Sequence, residues 1–488
     1  MCSFQTVHVV SKSRNSRLCK GKPTPVSLIL HSLSGFNDYN IGGREMAPAL
    51  TDNRQDNLSR WLVFTSRFLV MFFLTGSVKT GGILFNSISG ETSGTLAGFI
   101  LLLPYALGRL CGPISSILLN FFSYRVLGTF GGFLVGLGYI LIGLFANTTV
   151  LLIVFSLISG IGFACLLLPV AVCMKDHFRE DFASVMPLSM MGSFAGMIAV
   201  PPFMELCHVA YGDDGTFILF GALCLHLIPC GLLLRKPRFI VSANNDKLNE
   251  SDDEHETIEL LHNLDNGDEN NQNVDTRWMQ RLKTGIKKYY LLLISPVFVL
   301  FFIVSNTRKL PADGWTLFLI PHTIEIGFTS SEAAQTASIG GLAGMFGRVI
   351  ASLSFKCQIS PILVITFYYF INGVVFIIKE VFSSFQGSLA LQFITSAINA
   401  CFLSAQSGMI AGLLTYIVEP DNYKDAFGLL DFGNGILALM AGITPGYILD
   451  HTGHLNRAFI LFGVISILNG TLMVVLWTLL HFKRKRSN

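Results

Sequence analysis

Charged side chains stranded inside long apolar runs are the residues of this 488-residue chain best placed to do chemistry. Lys79, Arg109, Arg308, Lys309, Asp313, Arg348 and Asp431 all lie in such runs. An isolated charge in hydrocarbon is costly, so one that is kept there is a functional candidate by default. A fixed cation can compensate an anion for the water it sheds on entering a low-dielectric cavity, and a buried acid can take up and release a proton. A plainer reading stands beside each. Lys79, near the end of its run, can snorkel to the headgroups. Lys309 and Asp313, spaced i, i+4 on one helical face, can neutralise one another. Arg109 reads as structural or gating, and Arg348 can belong to the same ion-pair set.

The elements that must position these residues are membrane helices. The chain is 51% hydrophobic and 13% charged, with a mean hydropathy of +0.57, too apolar for a soluble globule of this size. Several runs reach the roughly 20 residues needed to cross a bilayer. Breaks at charge, Gly and Pro predict helices at 60–86, 94–120, 124–145, 149–174, 181–203 and 215–235, then 289–322, 331–355, 360–379, 387–418, 424–449 and 456–481. The fold class is therefore an all-α membrane protein of twelve transmembrane helices in two six-helix bundles, residues 59–235 and 287–481. Residues 1–58 read as a disordered cytosolic tail, 236–286 as an acidic cytosolic linker and 482–488 as a basic cytosolic tail.

Lysine and arginine set the orientation. Arg125, Lys175, Arg179, Lys356 and the terminal Lys483-Arg484-Lys485-Arg486 fall on one side under a twelve-helix count, which the positive-inside rule makes cytosolic. Both termini are expected there. Asn147-Thr148-Thr149 is a glycosylation sequon on the other side, hard against two helices. Gly108-Arg109 in the second span has a counterpart in Gly347-Arg348 at the same depth of the eighth, as parallel repeats of one ancestral half would leave. Gly128, Gly132 and Gly136 form small-xxx-small steps for close helix contact. Pro169, Pro187, Pro321 and Pro445 are candidate helix breaks.

Composition and motifs exclude other classes. The net charge of +3 does not point to nucleic acid. Cysteines such as Cys111, Cys165, Cys230 and Cys401 lie in apolar segments with no CxxC pair, so neither disulfides nor metal ligands are expected. Asp450, His451 and His454 share a loop but lack the form of a metal site. The run GSVKTGG lacks P-loop spacing, and HExxH and GxSxG are absent, so no enzyme activity and no cofactor are expected.

The segments GSVKTGGILF, GPISSILLNFFSYRVLGTFGGFLVGLG, LLLPVAVCMKDHF, VEPDNYKDAFGLL and ITPGYILDHTG together resemble the monocarboxylate transporter family of the major facilitator superfamily, over about Trp61 to Leu480. The two family signatures are degraded. Before the first span only Asp56 and Trp61 are kept, and before the fifth, across His177 to Gly192, Phe178, Leu188 and Gly192 match while Glu180 and Asp181 replace basic residues. The resemblance implies a plasma-membrane carrier of a small organic anion, a monocarboxylate, with Lys79 and Arg348 as substrate cations and Arg109, Gly112, Pro113 and Arg125 as gating or structural residues. It leaves open whether a proton travels too and whether a single-span accessory membrane protein assists. The family's aspartate one turn before the arginine is Gly344 here, so Asp313, with Asp431 second, is the candidate proton relay. Two alternatives stay open: a facilitative carrier of aromatic amino acids, thyroid hormone, creatine or carnitine, and a non-transporting membrane scaffold using the acidic central tract.

Overall fold

The structure is a computed structural model that describes residues 47–89, 103–145, 149–237, 285–357, 359–381 and 387–487, without the side chains of 47–56, 79–89, 149, 483, 484, 486 and 487. The chain divides into Met1–Asn53 and Arg54–Asn488, and everything below concerns the second unit, apart from the first turns of α1, which lie in the first. Its first half comprises α1 (Ala47–Ser89), α2 (103–110), α3 (Gly112–Leu118), α4 (Tyr124–Phe145), α5 (Thr149–Phe178), α6 (Phe182–Ser189), α7 (Gly192–Cys224) and α8 (Leu227–Leu232). Its second half comprises α9 (Gly285–Ile294), α10 (Pro296–Thr307), α11 (Lys309–Glu325), α12 (Ser330–Ser354), α13 (Pro361–Val381), α14 (Leu389–Ile417), α15 (Tyr423–Thr452) and α16 (Asn456–Ser487).

Among the described residues, eight segments are long and apolar enough to cross a membrane, or nine if the bent pair Gly285–Ile294 and Pro296–Glu325 is one span. One of them, Val150–Leu232, is 83 residues long, about four times what one crossing needs. It holds three crossings, because α5 ends in a turn at Arg179 and Gly212 adopts φ 69° inside α7. That left-handed residue, which only glycine takes without strain, separates the fifth span from the sixth. With α2–α3 as the second span, the order matches the twelve helices read from sequence.

Side chains at the periphery explain why a bilayer is the right solvent. Phe130, Phe133, Ile161, Phe346, Phe367 and Leu468 are exposed although strongly apolar, as lipid-facing residues must be. Inside each half, close backbone approach does the work that water expulsion does in soluble proteins. Gly128, Gly132 and Gly136 face Gly231, Leu227 and Leu225, so this glycine stripe packs α4 within its own half.

The helix interruptions fall elsewhere than at the four prolines singled out from sequence, which lie inside α5, α6, α11 and α15. Pro311 lacks the N–H that would bond the Thr307 carbonyl, and the chain loosens at Arg308, between α10 and α11. Ser295, before Pro296, is extended (φ −70°, ψ 113°), and α9 meets the following span at 88°. The expected seventh span of 289–322 is therefore two elements at a right angle, and Gly285 and Ile286 belong to α9. α1 starts at Ala47, ahead of the expected 60, and α16 runs on through the basic segment to Ser487. Most of the N-terminal tail, Asn147 and residues 238–284 of the central tract lie outside the described residues.

The two halves meet at the helix ends that carry Arg125, Lys175, Arg179 and Lys356, called here the basic end. There α3 packs on α15, and α6 packs on α12 and α14. Gly112 and Gly428 touch backbone to backbone, with no room for a Cβ on either.

Candidate functional site

A cavity of about 780 Å³ lies between the halves, lined by α1, α2 and α7 on one side and by α11, α12, α14 and α15 on the other. Along α12 it runs from Arg348 to Ala334, about 20 Å at 1.5 Å per residue. It thus reaches the first turns of α12 at one end.

At the other end the floor is an ion pair. Arg109 Nη1 of α2 lies 2.9 Å from Asp431 Oδ1 of α15, joining the halves. Beneath it, Ser116 Oγ donates to Asp425, Lys424 donates to Asn120, and Lys175 Nζ donates to the Pro420 carbonyl at 2.9 Å. With the Gly112–Gly428 contact, these seal the cavity towards the basic end. Removing one partner of a buried ion pair typically costs about 3–5 kcal/mol, because the other charge is left unpaired out of water.

The cations on the wall are not equivalent. Lys309 Nζ lies 2.6 Å from Asp313 Oδ2 and donates to the Tyr105 hydroxyl at 3.1 Å. Arg109 is held by Asp431 and stands over the Tyr105 ring at 5.1 Å. Tyr105 therefore sits between a cation of each half. Arg348 differs. Its Nη1 points at the Met190 thioether at 3.6 Å, its guanidinium faces the Phe194 ring at 5.8 Å, and its Nε has no hydrogen-bond partner. It is thus a buried guanidinium on the cavity wall with no carboxylate beside it among the described residues.

Local sequence explains this placement. Gly347 lets α12 approach Cys401 of α14 with no space for a side chain, which holds Arg348 against the second half. Gly344, one turn earlier, admits the Phe194 ring from the first half: a Cβ there would lie 2.6 Å from its carbons. A phenyl edge thus occupies the place where the family resemblance would put an aspartate.

The residues expected from sequence divide as follows. Arg348, Arg109 and Asp313 line the cavity, and Asp431 lies in its floor. Asp313 is paired with Lys309, as the plainer reading anticipated. Gly112 makes the inter-half contact, and the Pro113 carbonyl accepts a bond from Tyr289. Arg125, in the first turn of α4, is not part of the cavity wall. Lys79 lies in α1, with its side chain outside the described residues. Among the described residues no group of His, Cys, Asp and Glu has the form of a metal site, and His454 instead approaches Glu325 at 3.3 Å. Sequence reading missed Arg67, fully buried on α1 with Nη1 donating to the Leu167 carbonyl at 2.9 Å. The same signal that singled out Lys79, a lone charge in an apolar run, was available for it. Phe194, Trp315 and Tyr105 carried no such signal.

Residues 58–379 match the sequence model of the Major Facilitator Superfamily. The chain belongs to that superfamily. This facilitator is similar to monocarboxylate transporter 12 of Xenopus laevis, with 23% identity over 364 residues, 72% of this chain and 74% of that protein. It is similar to monocarboxylate transporter 2 of Rattus norvegicus, 23% identical over 437 residues, 88% of this chain and 86% of the relative. Monocarboxylate transporter 13 of Bos taurus is 22% identical over 426 residues, 86% of this chain and 89% of that one. At these identities it is a divergent relative of the monocarboxylate transporters. Among solved structures, the E. coli fucose:proton symporter superposes with a TM-score of 0.63 at 15% identity, covering 86% of this chain and 99% of that one. A proton:xylose symporter gives 0.59 at 14% identity, covering 86% and 96%. The facilitator is thus a multi-pass membrane transporter with the twelve-helix fold of its superfamily.

Proposed function

We propose that this facilitator carries an organic monocarboxylate by alternating access, with Arg348 as the cation that receives the carboxylate. The observation that carries the reading is the contrast in acid partners: Arg109 pairs with Asp431 and Lys309 with Asp313, whereas Arg348, whose Nη1 reaches only the Met190 thioether, has no acid among the described residues. The proteins it is similar to are named monocarboxylate transporters, which supports that choice of anion. Lys79, on α1, is the second cation of the proposal.

Orientation follows the positive-inside rule: the basic end and both termini face the cytosol, in the plasma membrane, and the halves 59–235 and 287–481 rock about the cavity. The sealed basic end then makes this an outward-facing arrangement. Opening to the cytosol must break Arg109–Asp431, which puts Asp431 at the point of exchange. The relay acid is Asp313, and Asp431 the second choice.

A second reading is favoured by size. At about 780 Å³ the cavity falls within the range that holds drug-sized ligands, and Tyr105, Phe194 and Trp315 line it. A bulkier carboxylate with an aromatic body fits that wall better than a three-carbon acid. Uptake of labelled lactate, pyruvate, creatine and aromatic amino acids by cells expressing the chain, at two pH values, separates the readings. Failure to move any organic acid would remove both.

A further inference from the structure

Between the acidic central tract and the second half stands α9, which meets the following span at 88°. Proline disfavours helical geometry in the residue before it, and Ser295 before Pro296 is extended accordingly. Along α9, Gly285, Lys288, Tyr289 and Leu292 are buried or half-buried, at spacing i, i+3, i+4 and i+7. This inner stripe touches both halves at the basic end. Tyr289 Oη donates to the Pro113 carbonyl of α3 at 3.1 Å. Lys288 Nζ donates to the Asp421 carbonyl at 3.4 Å and lies 3.9 Å from Asp425 Oδ2. Asp425 is itself bonded by Ser116 across the seal.

The outer face of α9 is the reverse of what water would select. Ile286, Tyr290, Leu291, Leu293 and Ile294 are between 51% and 66% exposed. A helix of about 15 Å that runs at a right angle to a membrane span cannot itself cross the hydrocarbon. An apolar outer face on such a helix is satisfied in the plane of the membrane interface. Lys287 is exposed on α9, and Arg281 and Lys283 precede it in sequence, so the surface it fits is an anionic one.

We propose that α9 is an interfacial latch: its apolar face docks in the headgroup layer of an anionic bilayer surface while its inner stripe holds the basic end shut. A bilayer that keeps α9 in its plane keeps Tyr289 and Lys288 on their partners. Opening of the basic end then requires α9 to leave one half.

The full chain in lipid vesicles, with a fluorophore on a single cysteine at Ile286 or Leu293, tests the docking. Shallow nitroxide lipids should quench both positions and aqueous iodide should not. Replacing phosphatidylglycerol by phosphatidylcholine should lower the ratio of docked to undocked α9 by about fivefold for each basic residue at the surface. Iodide quenching equal to that by lipid, or no dependence on phosphatidylglycerol, would overturn the proposal. The latch is tested separately with a cysteine at Ala426, which is fully buried beneath the seal. Combining Tyr289→Phe with Lys288→Met should speed its thiol labelling by about two- to tenfold, the worth of one ordinary hydrogen bond or more. Unchanged labelling would show that α9 does not hold the end shut.

Discussion

Arg109 and Asp431, 322 residues apart in sequence, meet at 2.9 Å and join the two halves beneath the cavity. The pair closes one end of the cavity, and one partner alone would leave a charge stranded out of water.

Asp431→Asn should therefore weaken the closed basic end by about 3–5 kcal/mol and expose it to water-soluble thiol reagents. Exchanging the charges, Arg109→Asp with Asp431→Arg, should recover more protection and more transport than either single change. Labelling rates of a cysteine beneath the seal, in membranes, check both. Equal protection in Asp431→Asn and the parent would mean that the pair does not bear the closure.

Gly344 is tied to Phe194. A methyl at 344 would lie 2.6 Å from the ring, so Gly344→Ala should cost about 1–3 kcal/mol through overpacking. Adding Phe194→Leu should return most of the loss, because the two effects share one contact. A double-variant cycle of thermal unfolding in detergent measures this, and strict additivity would deny the contact.

Asp313 faces Lys309 at 2.6 Å on the cavity wall. As the relay acid, it should make uptake pH-dependent, and Asp313→Asn should flatten that dependence while Lys309 keeps its bond to Tyr105. Uptake measured across pH in parent and variant decides. A pH profile unaltered by the change would reduce Asp313 to a neutralising partner for Lys309.

Much of this was legible in the sequence for a simple reason. Hydrocarbon tolerates no unpaired backbone, so uninterrupted apolar runs of crossing length have to be helices, and their number and order follow. Arg348 and Arg109 stood out because charges are rare in such runs. Pairing was not legible, since nothing local connects Arg109 to Asp431 across the halves. The role of Phe194 was hidden in the same way: one phenylalanine among the 41 in this chain has no distinguishing neighbour in sequence. The right-angle turn into α9 had a signal, the Ser295-Pro296 step, but the apolar residues on both sides masked it.

The central claim is that Arg348 offers an anion a charge that no acid among the described residues has taken. It is tested most directly by uptake of labelled organic acids into liposomes holding the purified parent, Arg348→Lys or Arg348→Gln. Removing a buried charge partner costs about 2–5 kcal/mol, so Arg348→Gln should lower uptake by about thirtyfold or more. Arg348→Lys should recover it only in part, because an ammonium cannot reproduce the guanidinium fork. Uptake by folded Arg348→Gln protein at the parent's rate would contradict the account.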